Sequence, residues 1–238
     1  MNTPPAQRAE VSAAPGAIFD RLAAIIYGGA EFGEIYTSLC LAATSLVSGC
    51  DHASLMLLRN GRADTVAATD EVAQQVDELE RKHQDGPCID ALSVEVPQVD
   101  PDLTDGSQWP ELAREIVATT PVRGAAGFRI VIGDEKVGAL NLFSDHPGVL
   151  TDESAHQGII LASFASVAIA AAQSREKAES LTRGLHSNRE IGKAVGLMMA
   201  FHKISDEAAF DILRKASQDM NLKLTEVARQ IVDHHNSR

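Results

Sequence analysis

The side chains best suited to binding chemistry are cationic and lie near the C-terminus of the chain. Residues 181–238 hold nine Lys and Arg residues against seven Asp and Glu residues, a net charge of +2. Such cations anchor the phosphate groups of nucleic acids, and the amide and hydroxyl side chains among them can bond to unpaired bases. Since the whole chain has a net charge of -12, residues 1–180 carry -14. This division of charge favours two functional units.

One cysteine also has the surroundings of a reactive group. Cys88 follows Gly86 and Pro87, where a helix can begin, and a helix N-terminus lowers the pKa of a thiol, so one hypothesis is a redox role. The alternative is a small buried side chain, because acidic Asp85 and Asp90 oppose thiolate formation. The sequence shows no pairing of a nucleophile with a base and no metal-ligand spacing, so we expect no catalytic or metal site.

The composition excludes several classes of protein. A chain of 238 residues suits one large domain or two small ones, and its acidity argues against a general polyanion binder. Three cysteines without a CxxC pair argue against a disulfide framework and indicate a reducing cytoplasm. We find no apolar run close to the ~20 residues that span a bilayer, so no membrane contact is expected.

The acidic part of the chain is predicted to be one α+β domain over residues 17–150, after a disordered leader at residues 1–16. Two helices open this domain. A hairpin with a turn at Asn60 and Gly61 follows, and a second hairpin closes the sheet, which is mostly antiparallel. Between the hairpins we predict a helix, a strand and a helix, at residues 71–83, 94–99 and 108–119.

A single helical pattern then runs from about Glu153 to about His202. Alternating steps of four and three residues meet mostly apolar side chains, and this is the period of a coiled coil. Either each half of the helix packs on its own domain, or two chains pair along this seam as a parallel homodimer, which the sustained pattern favours. Residues 151–180 are thus predicted to be a coiled-coil linker. The seam contains Ile160, Phe164, Val167, Ala171, Leu181, Leu185 and the register-setting Asn188.

Residues 181–238 are predicted to form an all-α bundle of three helices. Ser205 can cap the second helix, which ends near Asn221, and the third helix runs from about Thr225 to His235. The predicted core of the bundle consists of Leu197, Phe210, Leu213, Leu224 and Val227.

The bundle resembles the ANTAR domain of bacterial antitermination regulators over roughly residues 181–235. The resemblance rests on Arg189-Glu190-Ile191-Gly192-Lys193-Ala194-Val195-Gly196-Leu197-Met198-Met199, on residues 206–214, and on Ser217, Gln218, Asn221, Lys223, Leu224, Val227 and Ala228. The preceding part, with Asp85-Gly86-Pro87-Cys88-Ile89-Asp90-Ala91-Leu92 before the long helix, resembles the GAF domains that precede ANTAR in actinobacterial regulators. The chain is therefore similar to GAF-ANTAR transcription antitermination regulators.

This resemblance implies binding to paired stem-loops in mRNA leaders, which would control an intrinsic terminator or occlude a ribosome-binding site. Family members commonly act as dimers, in agreement with the seam. The GAF-like domain would be the sensor, with an unknown cofactor or small-molecule ligand. The family often has Lys directly before the Gly that Gly196 matches, where this chain has Val195. The predicted RNA-binding residues are Arg189, Lys193, Arg214, Lys215, Ser217, Gln218, Asn221, Lys223 and Arg229, with small Ala194 and Gly196 admitting the RNA.

Two other functions fit parts of the sequence. The last two helices, joined by a short turn, imitate a DNA-binding helix-turn-helix, although Glu226 and Asp233 in the would-be recognition helix make DNA an unfavourable partner. The second alternative is a small-molecule or redox sensor that signals only through protein partners.

Overall fold

A computed structural model describes residues 15–59, 61–93 and 96–236 of the chain. The chain divides into two compact units, residues 1–172 and residues 173–238. The predicted leader lies outside the described residues as far as residue 14. Its last two residues, Pro15 and Gly16, instead begin the first helix.

Five strands form one antiparallel sheet in the first unit. They are β1 (His52–Arg59), β2 (Arg62–Ala68), β3 (Gln98–Asp100), β4 (Gly124–Ile132) and β5 (Glu135–Ser144). Their order is β2-β1-β5-β4-β3. Gly61 and Gly133 take the positive φ angles that tight hairpin turns require, whereas Asn60 lies outside the described residues. The strand predicted at residues 94–99 begins only at Gln98, and residues 94 and 95 also lie outside the described residues.

Helices cover both faces of this sheet. They are α1 (Pro15–Tyr27), α2 (Phe32–Leu46), α3 (Glu71–His83), α4 (Pro87–Ser93), α5 (Pro110–Thr119) and the start of α6 (Asp152–His202). One core joins α1, α2 and α6 to sheet residues such as Phe128 and Leu140, and a second joins α3 and α5 to Phe143. Helix α4 begins at Pro87, where the sequence allowed a helix to start, and packs Cys88 against Met56 of β1. The predicted α+β fold with an antiparallel sheet is confirmed.

The second unit contains the end of α6 followed by α7 (Asp206–Met220) and α8 (Leu224–Asn236). Ser205 caps α7 by accepting a hydrogen bond from the Ala208 backbone N–H at 3.2 Å, and Asn221 ends it in the left-handed conformation, as predicted. Phe210, predicted as core, is 41% exposed, because the smaller Ala209 beside it occupies the interior. The buried core consists of Ala194, Met198, Ala209, Leu213, Val227, Ala228 and Val232.

Helix α6 is long and apolar enough to cross a membrane by length and composition alone, although it contains no uninterrupted apolar run of about 20 residues. The sequence prediction considered uninterrupted apolar runs, whereas Ala and Ser alternate with larger apolar residues here. Several residues of this segment, including Leu161, Ala165 and Ile169, are buried in the core of the first unit. Packing against the sheet therefore accounts for their apolar character without a membrane.

Candidate functional site

A cluster of cations in the second unit surrounds the carboxylate of Glu190. Lys193, one turn later in α6, donates a hydrogen bond from Nζ to Oε1 of Glu190 at 2.7 Å. This bond lowers the pKa of Glu190, and the positive charges of Lys193 and Arg229 lower it further. Arg229 belongs to α8, so tertiary packing brings together two predicted RNA-binding residues, Lys193 and Arg229, that are distant in the sequence. We call Lys193 and Arg229 the cation cluster.

A second set of predicted residues follows one exposed side of α7. Steps of four and three residues lead from Arg214 through Gln218 to Asn221, so these side chains share a helix face, and Phe210, which was predicted as core, lies four residues before Arg214 on the same face. All four are exposed, and Arg214 pairs with Asp211 at 3.0 Å. Lys215 is also exposed, but adjacent helical residues do not share a face. We call Arg214, Gln218 and Asn221 the α7 stripe. Other predicted cations, such as Lys215, lie outside this stripe.

The turn between α7 and α8 uses one predicted RNA-binding residue for its own structure. The Ser217 hydroxyl donates to the backbone carbonyl of Leu222 at 2.6 Å, and the Leu222 N–H donates back to the Ser217 carbonyl at 3.1 Å. Ser217 therefore stabilises the turn that presents its neighbours. Asn221 and Lys223 are exposed in this turn, and Arg189 is exposed on α6.

The small residues predicted to admit RNA have opposite placements. Ala194 is fully buried in the core of the second unit, so its assignment as an RNA contact is wrong. Its spacing of three and four residues from Ile191 and Met198 places it on the inward face of α6. Gly196 is exposed, and a Cβ atom added there would meet nothing within 4 Å. Val195, at the position where the family often has Lys, is partly buried against the same core.

The predicted seam side chains are mostly exposed within their own units. In the first unit, Ile160 and Val167 are exposed, whereas Phe164 is partly buried and its ring packs against Phe19 with centroids 5.4 Å apart. In the second unit, Leu181 is 62% exposed and Leu185 is 72% exposed. Ala171 and Asn188 are exposed as well. The exposed seam side chains leave apolar surface that a partner helix can cover.

Cys88 lies in an environment that disfavours a thiolate. Its side chain is fully buried, and Sγ lies 3.2 Å from Sδ of Met56. Burial raises the pKa of the thiol well above its usual value, and the carboxyl groups of Glu80 and Asp77 raise it further. Asp90, considered earlier as a neighbour of the thiol, instead accepts a hydrogen bond from Nε1 of Trp109 at 2.9 Å. The structure favours a packing role for Cys88 over a redox role.

Buried polar groups lie beside Cys88, and no sequence pattern indicated them. Asp77 in α3 is fully buried, and its carboxyl group accepts hydrogen bonds from Ser54 at 2.7 Å, Thr65 at 2.7 Å and Asn141 at 3.1 Å. Burial raises the pKa of Asp77 to about 6, although these three hydrogen bonds act in the opposite direction. The network ties α3 to three strands of the sheet.

Two protein families match the chain in the order that this architecture implies. The GAF domain family matches residues 29–170, more than half of the chain, and the ANTAR domain family matches residues 179–232. The chain belongs to the GAF-ANTAR regulators. Members of this family join a sensor domain to an RNA-binding domain that acts in transcription antitermination. No curated protein sequence matches this chain.

Solved GAF domains share the fold of the GAF-ANTAR chain. The phycoerythrobilin-bound GAF domain of a cyanobacterial phytochrome is 16% identical, with a TM-score of 0.53 over 70% of this chain and 100% of that chain. The GAF domain of a phosphoenolpyruvate-protein phosphotransferase from Coxiella burnetii is 16% identical, with a TM-score of 0.51 over 71% of this chain and 99% of that chain. At these identities the likeness establishes the fold alone.

The GAF domain of this GAF-ANTAR regulator has a cleft of about 480 Å³ between β4 and α6. Ser166 donates to the Ala162 carbonyl and accepts from the Val131 N–H, so its hydroxyl is satisfied within the protein. In the part of the chain that the structure describes, no three His, Cys, Asp or Glu side chains are grouped to hold a metal ion. The cleft is lined by Pro97, Phe128, Arg129, Val131, Ile159, Ala162, Ser163 and Ser166.

Proposed function

We propose that this regulator binds paired stem-loops in mRNA leaders and so controls an intrinsic terminator or access to a ribosome-binding site. It acts in the cytoplasm, by binding and not by catalysis. The observation that carries this proposal is the cation cluster, in which Lys193 of α6 pairs with Glu190 and Arg229 of α8 lies near enough to lower the pKa of the same carboxylate. Two cations held by different helices of an ANTAR domain can contact phosphates on both sides of a folded RNA.

The charge balance favours a structured RNA over a long regular polyanion. The net charge of the C-terminal segment is only +2, so attraction alone gives weak binding to arbitrary nucleic acid. Sequence-specific proteins read stem-loops through shape and through unpaired bases, which needs few cations in fixed positions. The α7 stripe offers Arg214, Gln218 and Asn221 for such contacts. The acidic GAF domain repels nonspecific RNA.

A homodimer explains why the target would be a pair of stem-loops. Leu181 and Leu185 expose their apolar side chains about one helical turn apart. Burial of these side chains against a second copy stabilises the dimer. Two chains joined along α6 carry two ANTAR domains, and tethering makes the second stem-loop bind intramolecularly once the first is bound. Paired hairpins therefore bind more tightly than one hairpin.

Regulation would enter through the GAF domain. A small molecule bound there changes RNA binding only if it favours one arrangement of the dimer over another. The cleft between β4 and α6 borders Ile159, next to the seam residue Ile160, so a ligand there would act on the helix that carries the seam.

The direct test is a gel shift with the full chain. We compare an RNA that carries two stem-loops with duplex DNA of the same sequence, and we expect preference for the RNA. Preference for the duplex would support the helix-turn-helix alternative and contradict the proposal.

A triple variant, Lys193→Ala with Arg214→Ala and Lys215→Ala, separates RNA binding from a sensor that acts only through protein partners. All three side chains are exposed, so the fold is expected to persist. Loss of three phosphate contacts lowers RNA affinity. It also reduces the slope of log affinity against log salt concentration by roughly 1 for each contact. Unchanged affinity would favour the partner-only alternative.

A further inference from the structure

An exposed aromatic pair lies where α6 and α8 end. Phe201 is 66% exposed in the last turn of α6, and its ring contacts the imidazole ring of His235 in the last turn of α8. The ring centroids are 5.3 Å apart and the ring planes form an angle of 65°. Because this is an edge contact and not a stack, a face of the Phe201 ring stays open to solvent.

The fold of the second unit does not explain this exposure. The core of the unit is formed by small and aliphatic side chains of all three helices, and Phe201 is outside it. His235 nevertheless holds the ring from one side, which limits its rotamers and reduces the entropy lost when another group binds. Phe201 is thus a preorganised apolar surface at a helix end.

The dimer seam does not account for Phe201 either. The seam pattern of alternating four- and three-residue steps, continued beyond Asn188, reaches Met199. Phe201 follows Met199 by two residues, and at 3.6 residues per turn this step is a rotation of about 200° around the helix axis. A second copy packed along the seam therefore faces away from Phe201. Phe201 therefore stays available to an occupant of another kind.

We propose that Phe201 is a stacking platform for an unpaired base of the bound stem-loop, with His235 as its support. This inference rests on the proposed RNA function and adds a contact that cations cannot supply. Every base has a planar face that stacks on an aromatic ring, and unpaired loop bases are the ones available to do so. Exposed Lys203 directly follows α6 and provides a cation for the adjoining phosphate.

The test uses the full chain and a two-hairpin RNA isolated by in vitro selection on it. Replacing Phe201 by Leu keeps an apolar side chain but removes the ring, and we expect roughly a tenfold to a hundredfold loss of affinity. Phe201→Trp keeps a stacking surface and is expected to retain binding. Tyr27→Leu is the matched control, because Tyr27 is an exposed aromatic residue of α1, outside the ANTAR domain.

An abasic scan of the RNA loops identifies the stacked base. Removal of the base at one loop position should weaken binding to the wild-type chain by about the same factor as Phe201→Leu does. The same removal should weaken binding to the Phe201→Leu variant little further, which is the signature of a direct contact between that base and the ring. Circular dichroism and sedimentation check that the variant keeps its helix content and oligomeric state.

The outcomes separate this inference from the function on which it rests. If selection yields no RNA that binds the wild-type chain, the proposed function itself fails. If the wild-type chain binds and Phe201→Leu binds equally well, only the stacking platform is overturned. A loss in Phe201→Leu that matches the loss in Tyr27→Leu, or that comes with dissociation of the dimer, also overturns it.

Discussion

Lys193 and Glu190 form an ion pair across one turn of α6, with Nζ and Oε1 2.7 Å apart. The Glu190 side chain is only 13% exposed, whereas Lys193 is 45% exposed, so the carboxylate lies beneath the cation. Arg229 of α8 lies near enough to the same carboxylate to lower its pKa. Glu190 therefore holds Lys193 by an ion pair and, at the same time, offsets part of the positive charge of Lys193 and Arg229.

Replacing Glu190 by Gln is expected to strengthen RNA binding. The amide can still accept a hydrogen bond from Lys193, but it no longer neutralises a cation that faces phosphate. We expect affinity for a two-hairpin RNA to rise roughly threefold to tenfold at low salt. The slope of log affinity against log salt concentration should become steeper by about 1. Titrations at several salt concentrations measure both. Glu176→Gln, the same charge change earlier in α6, is the control, and weaker binding by Glu190→Gln would show that positioning outweighs charge.

Gly196→Ala separates stability from RNA access. A Cβ atom at this position meets nothing in the free protein, so Ala is expected to stabilise the helix by about 0.5–1 kcal/mol. If RNA approaches the backbone at Gly196, the same methyl group obstructs it, and affinity falls roughly tenfold. Gly184→Ala, also in open space on α6, should raise stability without affecting RNA. Equal RNA binding by both variants would remove Gly196 from the RNA-binding surface.

Charge placed in the seam should separate the dimer. In Leu181→Glu with Leu185→Glu, two exposed apolar side chains become carboxylates that the partner helix cannot cover. We expect the dimer dissociation constant to rise by at least about tenfold for each site, and sedimentation to report a folded monomer. Binding to two-hairpin RNA falls, while binding to a single hairpin persists. Ile212→Glu, on the exposed surface of α7, should leave the dimer intact; a dimer that survives the double substitution contradicts the seam.

Asp77 makes the stability of the GAF domain depend on pH. Its folded pKa of about 6 lies above the unfolded value of about 4, so the folded state binds its proton more tightly. The resulting stabilisation is full below about pH 4 and is lost as the pH rises through about 6, on the order of 2–3 kcal/mol. In urea unfolding across this pH range, the free energy of unfolding should fall less with rising pH for Asp77→Asn than for the wild type. Asp134→Asn, an exposed turn variant, should keep the wild-type dependence, and identical curves for all three would refute the assignment.

Local signals account for the elements that the sequence predicted well. Asp70 caps α3 by accepting a hydrogen bond from the Ala73 N–H at 3.0 Å, and the helix spans the predicted residues 71–83. Asn221 ends α7 in the left-handed conformation that its type permits. These features depend on a few neighbouring residues, which a sequence displays directly.

Contacts between distant segments account for what the sequence did not reveal. The charge of Arg229 acts on Glu190 only because α8 packs beside α6, and the pKa of Asp77 depends on burial by strands that follow and precede it. Ala194 is different, since its spacing from Ile191 and Met198 already indicated the core face. Its small size was interpreted as room for RNA, whereas it provides room for neighbouring helices.

The central claim is that this chain selects mRNA leaders with paired stem-loops, and crosslinking in its native cells followed by sequencing of the bound RNA tests it most directly. We expect leaders with two neighbouring stem-loops to be enriched with the wild-type chain and lost with the variant that combines Lys193→Ala, Arg214→Ala and Lys215→Ala. Enrichment of unstructured RNA, or the same bound RNA with both chains, would contradict the account.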